Sequence, residues 1–182
     1  MGDATGKGVP AALVMSTTCG MLRLAAQGLS SPGEMLERVN EALCPTIPPN
    51  MFVTCFYAIL DPKRGSLTYA NAGHDLPYVQ RDGNAEELRA RGMPLGLVPG
   101  MSYEEKAIVL NAGEAAFFYT DGLVEAHNAD GEMFGFPRLR ALISEHDEER
   151  RLEGFLLEKL NSFVGEGWEQ EDDITLLTLR CF

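Results

Sequence analysis

The spacing of hydrophobic residues changes along this chain, and the order of these changes limits the folds that the chain can adopt. Apolar residues recur with helical spacing over residues 10–27, 31–43, 137–146 and 149–164. Alternating or short β-branched runs, which are typical of strands, occupy residues 52–60, 66–72, 76–80, 102–110, 114–120 and 174–179. This order of helix pair, strands, helix pair and strand predicts an α+β fold, with sheet packed on sheet and helices outside.

Local signals add detail to this prediction. The segment Ser31-Pro32-Gly33-Glu34 has the form of a capping box, so we expect a helix to start there and to bury one apolar stripe. The helix over residues 10–27 is apolar on most sides, so we expect more than one neighbour to bury it. Turn residues at 61–65 and 111–113 predict two antiparallel hairpins, the second joining 102–110 to 114–120.

Composition excludes several classes of function. The chain has 182 residues, and its 27 acidic and 15 basic side chains give a net charge of -12. Such a surface repels nucleic acid and anionic membranes, so we expect neither as a partner and expect a cytoplasmic protein. No apolar run reaches the roughly 18 residues of a membrane span. The four cysteines form no C-x-x-C pair, which favours reduced packing residues. We expect residues 1–182 to form a single domain.

Three acidic motifs lie far apart, at residues 2–8, 119–122 and 171–175. Taken singly, Asp3 suits a helix cap, Asp121 a turn, and Asp172 a solvated loop. Taken together, aspartates at the ends of strands would offer the oxygen ligands that Mg²⁺ and Mn²⁺ prefer. A nucleotide-binding P-loop is disfavoured, because Lys7 is followed by Gly8 where that motif needs Ser or Thr.

With these motifs, the chain resembles the bacterial PPM-type (protein phosphatase 2C-like) serine/threonine phosphatases. The similarity is greatest to the branch that includes sporulation stage II protein E and stress-response regulators of anti-sigma-factor antagonists. The matching segments follow the family's order along the whole chain and are residues 2–13, 69–74, 92–96, 119–126 and 171–177.

The resemblance implies an α-β-β-α sandwich of two antiparallel sheets flanked by helix pairs. It implies a site for two Mn²⁺ or Mg²⁺ ions, in which Asp3 bridges the ions and the carbonyl of Ala4 binds the second. Asp121 and Asp172 would bind the first ion. A metal-activated water would then attack phosphoserine or phosphothreonine directly, without a phosphoenzyme. The residues expected beside these ligands are Asp173, Gly122 and Lys7.

The chain departs from the family pattern in two respects. Full domains of this family begin several strands earlier, with a further acidic motif, so we expect this chain to lack its first strands and one metal-site aspartate. Eukaryotic-type relatives have a histidine where Thr5 stands. The segment from Asn71 to His74 is a marker of the family, and we expect it to form a structural turn.

The implied partner is a phosphorylated protein substrate in a bacterial partner-switching pathway, such as an anti-sigma-factor antagonist. A homodimer, which some relatives form, stays open. The alternative hypothesis is a catalytically inactive fragment or a protein-interaction module of the same fold.

Overall fold

The computed structural model describes residues 1–28, 30–146, 151–165 and 167–181. These residues form a mixed α+β fold with two four-stranded antiparallel sheets and four α-helices. In chain order the elements are β1 (Gly2–Ala4), α1 (Val9–Ala25), α2 (Pro32–Leu43), β2 (Val53–Asp61), β3 (Ser66–Ala72), β4 (Tyr78–Arg81), β5 (Asn84–Glu87), β6 (Glu105–Val109), β7 (Ala115–Tyr119), a 3₁₀ helix (Asp121–Leu123), α3 (Phe136–Glu145), α4 (Leu152–Val164) and β8 (Leu176–Arg180).

The chain divides into two compact units, the first made of residues 1–74 and 89–109 and the second of residues 75–88 and 110–182. The first unit holds the sheet with strand order β1-β2-β3-β6, together with α1 and α2. The second unit holds the sheet with strand order β5-β4-β7-β8, together with α3 and α4. The expected α+β class, with two antiparallel sheets and two helix pairs, is therefore confirmed.

Helix α2 forms as its sequence predicts. Ser31 is the N-cap, and its hydroxyl accepts a hydrogen bond from the backbone N–H of Glu34 at 3.2 Å. Pro32 occupies the first turn, where a missing N–H does no harm. The predicted stripe is at most 1% exposed and consists of Met35, Leu36, Val39 and Leu43. The stripe packs into the core of the first unit, where burial stabilises the fold by about 25 cal/mol per Å² of apolar area.

Helix α1 differs from the prediction. Only Val14, Thr18 and Ala25 of this helix are buried, whereas Leu13 and Leu24 are 64% and 69% exposed. As expected, α1 contacts more than one element, namely α2, β1 and β2, but among the described residues it does so through a single stripe. The helix is therefore less buried than expected, because an apolar composition shows what a helix can bury and not how much of it other elements cover.

The most completely buried strand of the second unit is β7, between β4 and β8. All five residues of β7 are buried, as its lack of alternation predicts. The helical spacing predicted for α3 and α4 is confirmed, because their inward positions are at most 1% exposed, at Leu139, Ile143, Leu152, Leu156 and Leu160. The predicted start of α4 at residue 149 lies outside the described residues, which resume at 151.

One hairpin prediction is correct and one is wrong. Strands β2 and β3 pair as expected, with Asp61 opposite Ser66 at the turn. Strands β6 and β7 do not pair: β6 adds to β3 in the first sheet, and β7 lies between β4 and β8 in the second. The segment between them is bound to the second sheet, since the N–H of Gly113 donates to the carbonyl of Cys181 at 2.9 Å.

Two further expectations concern the cysteines and the membrane. Cys19, Cys44, Cys55 and Cys181 are all free thiols, and Cys55 is buried as a packing residue should be, but the packing role expected for Cys19 is wrong because that residue is exposed. Over the described ranges of the chain, every helix falls short of the length and apolar character that crossing a membrane requires.

Candidate functional site

Three strand ends of the second unit meet at one edge of its sheet. Strand β7 is antiparallel to both of its neighbours, with Phe117 opposite Tyr78 of β4 and Tyr119 opposite Leu176 of β8. The end of β7 therefore lies beside the starts of β4 and β8. Because acidic residues adjoin all three ends, this edge collects Asp75 before β4, Asp121 after β7 and Asp172 before β8.

Asp121 begins the turn that follows β7. The side-chain Oδ1 of Asp121 accepts a hydrogen bond from the N–H of Gly122 at 2.9 Å, and its carbonyl accepts from Val124 and Glu125 at 2.9 Å. A Cβ atom on Gly122 would lie 2.7 Å from the carbonyl oxygen of Asp173. Only glycine fits there, so the Asp121 turn contacts the Asp172 loop through its backbone.

The loop before β8 is also ordered by its own hydrogen bonds. The N–H of Asp173 donates to Oδ1 of Asp172 at 2.8 Å, and the side chain of Gln170 donates to the Asp172 carbonyl at 2.8 Å. Glu171 lies 3.0 Å from Nδ1 of His127, which joins this loop to the segment after the 3₁₀ helix. These contacts hold Asp172 next to the turn that carries Asp121.

Asp75 is a candidate residue that the sequence analysis missed. Its Oδ2 is buried and has no hydrogen-bond partner within the described part of the chain. Burial, together with the negative charges of Asp121 and Glu125, raises the pKa of Asp75 to about 6. The available signal was its place directly after His74, between a family segment and an apolar run.

The charge at this edge is not neutralised by protein cations. No lysine or arginine of the described residues forms an ion pair with Asp75, Asp121 or Asp172. Oxygen donors with uncompensated negative charge match the ligand preference of Mg²⁺ and Mn²⁺. The donor chemistry therefore fits such ions. In the described residues, however, no three His, Cys, Asp or Glu side chains are grouped so as to hold an ion.

The first unit presents the other predicted ligands on β1. Asp3 is exposed and lies opposite Thr54 of β2, whose hydroxyl is 3.4 Å from the Asp3 carbonyl and 3.0 Å from Nδ1 of His74. Ala4 is 8% exposed and pairs with Val53. The reading of Asp3 as a helix cap is wrong, because Gly8 is the N-cap of α1.

The family marker segment forms a turn, as expected. The side chain of Asn71 closes this turn, accepting from the N–H of His74 and donating to its carbonyl, each at 2.8 Å. A Cβ on Gly73 would lie 2.8 Å from the ring of Pro94, so the segments 69–74 and 92–96 pack together. This observation supports a structural role for both segments.

The structure thus brings Asp121, Gly122, Asp172 and Asp173 together within the second unit. Asp3, Ala4 and Lys7 belong to the first unit, and Lys7 is exposed. That the residues of the two units bind metal together stays a prediction.

Comparison with known proteins identifies the family. The sequence model of the family described as stage II sporulation protein E (SpoIIE) matches residues 1–182. The chain belongs to the SpoIIE family. Among curated SpoIIE-like relatives, it is 32% identical over 190 residues to "Phosphoserine phosphatase RsbU" of Bacillus subtilis (strain 168). That match covers 98% of this chain and 53% of RsbU, so the chain spans about half of that relative's length.

Solved structures agree with this membership. The SiaA-PP2C domain of Pseudomonas aeruginosa superposes with a TM-score of 0.80 at 25% identity, covering 100% of this chain and 73% of that one. The RsbU and RsbW domains of Rv1364c from Mycobacterium tuberculosis give a TM-score of 0.78 at 29% identity, covering 97% of this chain and 50% of that one. The α+β fold of this SpoIIE-family chain is therefore that of a PP2C phosphatase domain.

Proposed function

We propose that this chain is a metal-dependent protein phosphatase domain that hydrolyses phosphoserine or phosphothreonine on a protein substrate. The observation that supports this function is the edge of the second sheet, where Asp75, Asp121 and Asp172 adjoin three neighbouring strand ends. Carboxylates without paired protein cations suit a reaction in which a divalent cation and a phosphoryl group are bound together.

The residues proposed to hold two Mn²⁺ or Mg²⁺ ions are Asp121 and Asp172 of the second unit and Asp3 and the Ala4 carbonyl of the first. Bound ions of this kind lower the pKa of water and stabilise negative charge on a phosphoryl group. One oxygen of Asp121 and one of Asp172 accept local backbone hydrogen bonds, which orient each carboxylate before any ligand binds. Lys7 is an exposed loop residue close in sequence to the proposed ligands Asp3 and Ala4, and contact with the substrate phosphate is an alternative role for it.

The names of two relatives support a proposal for the substrate class. RsbU is named as a phosphoserine phosphatase, and the Mycobacterium relative carries RsbU and RsbW domains in one protein. By this analogy the substrate is a small phosphorylated antagonist of an anti-sigma factor, within a cytoplasmic partner-switching pathway that responds to stress. The net charge of -12 suits contact with a basic protein surface.

The experiment that tests this function compares Asp121→Asn with Asp130→Asn, an exposed aspartate outside the proposed site. Manganese-dependent turnover of p-nitrophenyl phosphate and of a phosphoserine peptide is measured alongside Mn²⁺ titration. Loss of a metal ligand should lower kcat/KM by at least about 100-fold, because even residues that only orient ligands contribute 10–100-fold. Asp130→Asn should match the unmodified chain. Full activity of Asp121→Asn would contradict the proposal.

A second candidate function is a non-catalytic interaction module of the same fold. It is favoured by one observation, that no three acidic, histidine or cysteine side chains of the described residues are grouped to hold an ion. Binding of a protein partner, with no Mn²⁺ binding at millimolar concentration, would support this module over the enzyme.

A further inference from the structure

The hydroxyl group of Thr120 is not used as its local position predicts. Thr120 is the N-cap of the 3₁₀ helix and has an extended backbone, yet its side chain makes no capping hydrogen bond to that helix. A threonine at an N-cap ordinarily accepts a hydrogen bond from the first turn of its own helix. Thr120 is only 8% exposed, so its hydroxyl needs another partner, because burial of an unpaired hydroxyl is costly.

That partner is the loop that carries Asp172. The Thr120 hydroxyl donates to the carbonyl of Asp173 at 2.9 Å and accepts from the N–H of Thr175 at 2.9 Å. The N–H of Thr120 also donates to the carbonyl of Thr175 at 3.2 Å. One side chain therefore binds two backbone groups of the loop while the same residue is bonded covalently to Asp121.

Close backbone contact leaves little freedom of movement between the turn that carries Asp121 and the loop that carries Asp172. A Cβ on Gly122 would lie 2.7 Å from the carbonyl oxygen of Asp173 and 3.2 Å from that of Asp172, so the two backbones already touch. With Thr120 on one side of Asp121 and Gly122 on the other, both neighbours of this aspartate contact the same loop. The separation of Asp121 from Asp172 is thus set by backbone contacts and by the Thr120 hydroxyl.

We propose that Thr120 is a positioning residue, whose hydroxyl fixes the spacing between the carboxylates of Asp121 and Asp172 for metal binding. This inference rests on the proposed function, and it assigns a role to a side chain that is not itself a ligand. Residues that orient metal ligands typically contribute 10–100-fold to metal affinity.

The test uses three variants of the full chain. Thr120→Val keeps the shape of the side chain and removes its hydroxyl, whereas Thr120→Ser keeps the hydroxyl. Thr18→Val is the matched control, because Thr18 is 1% exposed and its hydroxyl donates to the carbonyl of Val14 at 2.8 Å, within helix α1. Mn²⁺ affinity is measured by calorimetric titration, and thermal unfolding and amide exchange are measured in the metal-free protein.

We expect Thr120→Val to weaken Mn²⁺ binding about 10–100-fold and to speed exchange of the Thr175 amide in metal-free protein. Thr120→Ser should restore binding close to that of the unmodified chain, and Thr18→Val should lower the Tm without weakening Mn²⁺ binding. If Thr120→Val does not fold, Thr120→Ser and Thr120→Cys carry the same comparison, since they differ only in the donor atom.

Three outcomes would overturn the inference. Unchanged Mn²⁺ affinity in Thr120→Val would overturn it and leave the proposed function in place. An equal loss of affinity in Thr18→Val would do the same, because the effect would then follow global stability. Absence of Mn²⁺ binding by the unmodified chain would overturn the proposed function and this inference together.

Discussion

At the scale of single residues, acidic side chains of the second unit differ in whether their charge is compensated. Glu114 is compensated: its carboxylate accepts from Arg81 at 2.6 and 2.8 Å and from the backbone N–H of Asn111 at 2.9 Å. Hydrogen bonds from Arg81 lower the pKa of Glu114 to about 2. Asp75, at the opposite end of β4, is uncompensated and has a raised pKa. We therefore expect the two carboxyl groups to affect the pH dependence of folding stability in opposite directions.

The Glu114 pair should stabilise the protein above its ordinary pKa of 4.5 and lose this effect as the pH falls toward 2. A depressed pKa in the folded state has this sign because the unfolded chain binds the proton more tightly. Glu114→Gln should therefore lower stability at pH 7 by about 1.5–3 kcal/mol, the typical contribution of a hydrogen bond to a charged group. Urea unfolding from pH 7 to pH 2 measures the change, with the exposed Glu169→Gln as control. A pH-independent difference would contradict this account.

The ionised carboxylate of Asp75 should destabilise the folded protein at neutral pH, when a chelator has removed divalent ions. Its pKa rises from 3.8 to about 6 on folding, so its ionisation destabilises the folded state as the pH rises through this interval. Asp75→Asn removes that charge and should raise stability at pH 7.5 by about 1 kcal/mol after allowance for solvent screening. This corresponds to about 2–4 °C in Tm for a chain of this size.

The same measurement at pH 3.5 provides the internal control for Asp75→Asn, because Asp75 is then protonated in the folded state and the difference should vanish. Asp130→Asn, at an exposed position, should change Tm at neither pH. A lower Tm for Asp75→Asn at pH 7.5 would show that the carboxylate is compensated by a group that the described contacts do not include.

At the scale of elements, the two helices of the first unit illustrate what periodicity does and does not predict. Helix α2 has a narrow apolar stripe, and that stripe is fully buried. Helix α1 is apolar on most sides, yet Val9, Leu13 and Leu24 are among its exposed residues. A narrow stripe identifies the buried face because polar neighbours exclude the others, whereas a uniformly apolar helix carries no such information.

Leucine truncation in the two helices should therefore differ sharply. Leu36→Ala in α2 should destabilise the protein by about 2–5 kcal/mol, because it leaves a cavity in the core. Leu13→Ala in α1 should stay within about 0.5 kcal/mol, as exposed substitutions usually do. Denaturant unfolding of both variants checks the contrast. A loss above 2 kcal/mol for Leu13→Ala would mean that another element covers that face in solution.

Strand pairing is the element-scale feature that local sequence predicted least well. The turn at 61–65 joins neighbouring strands, as expected, but the turn at 111–113 joins strands of different sheets. Both have ordinary turn residues. The turn at 111–113 differs because residues next to it bind partners that are distant in sequence: Glu114 binds Arg81, and Gly113 binds Cys181. Strand β5, with the sequence Asn84-Ala85-Glu86-Glu87, lacks the residues that favour strands and forms by pairing with β4.

At the scale of the whole molecule, the excess of acidic residues should weaken the folded state. A net charge of -12 produces self-repulsion that compactness increases and that salt screens. Raising NaCl from 20 to 500 mM, in the presence of a chelator, should therefore raise Tm by several degrees. Thermal unfolding at four or five salt concentrations measures this effect. A Tm that falls with salt would mean that attractive ion pairs dominate the surface.

The sequence by itself determined most of the local elements of this protein, its family and the residues proposed to bind metal. Helical spacing, capping at Ser31 and the turn at 61–65 depend on neighbours a few residues away, which any segment of the chain already contains. The family segments are likewise read directly from the order of residues.

Only the tertiary structure decided which strands are neighbours, how little of α1 is buried and which acidic groups share an edge. Asp75, Asp121 and Asp172 lie at the same edge because β4, β7 and β8 pair side by side. The Thr120 hydroxyl joins residues more than fifty positions apart. Such contacts require closing long loops, and their free energy depends on partners that a local pattern does not specify.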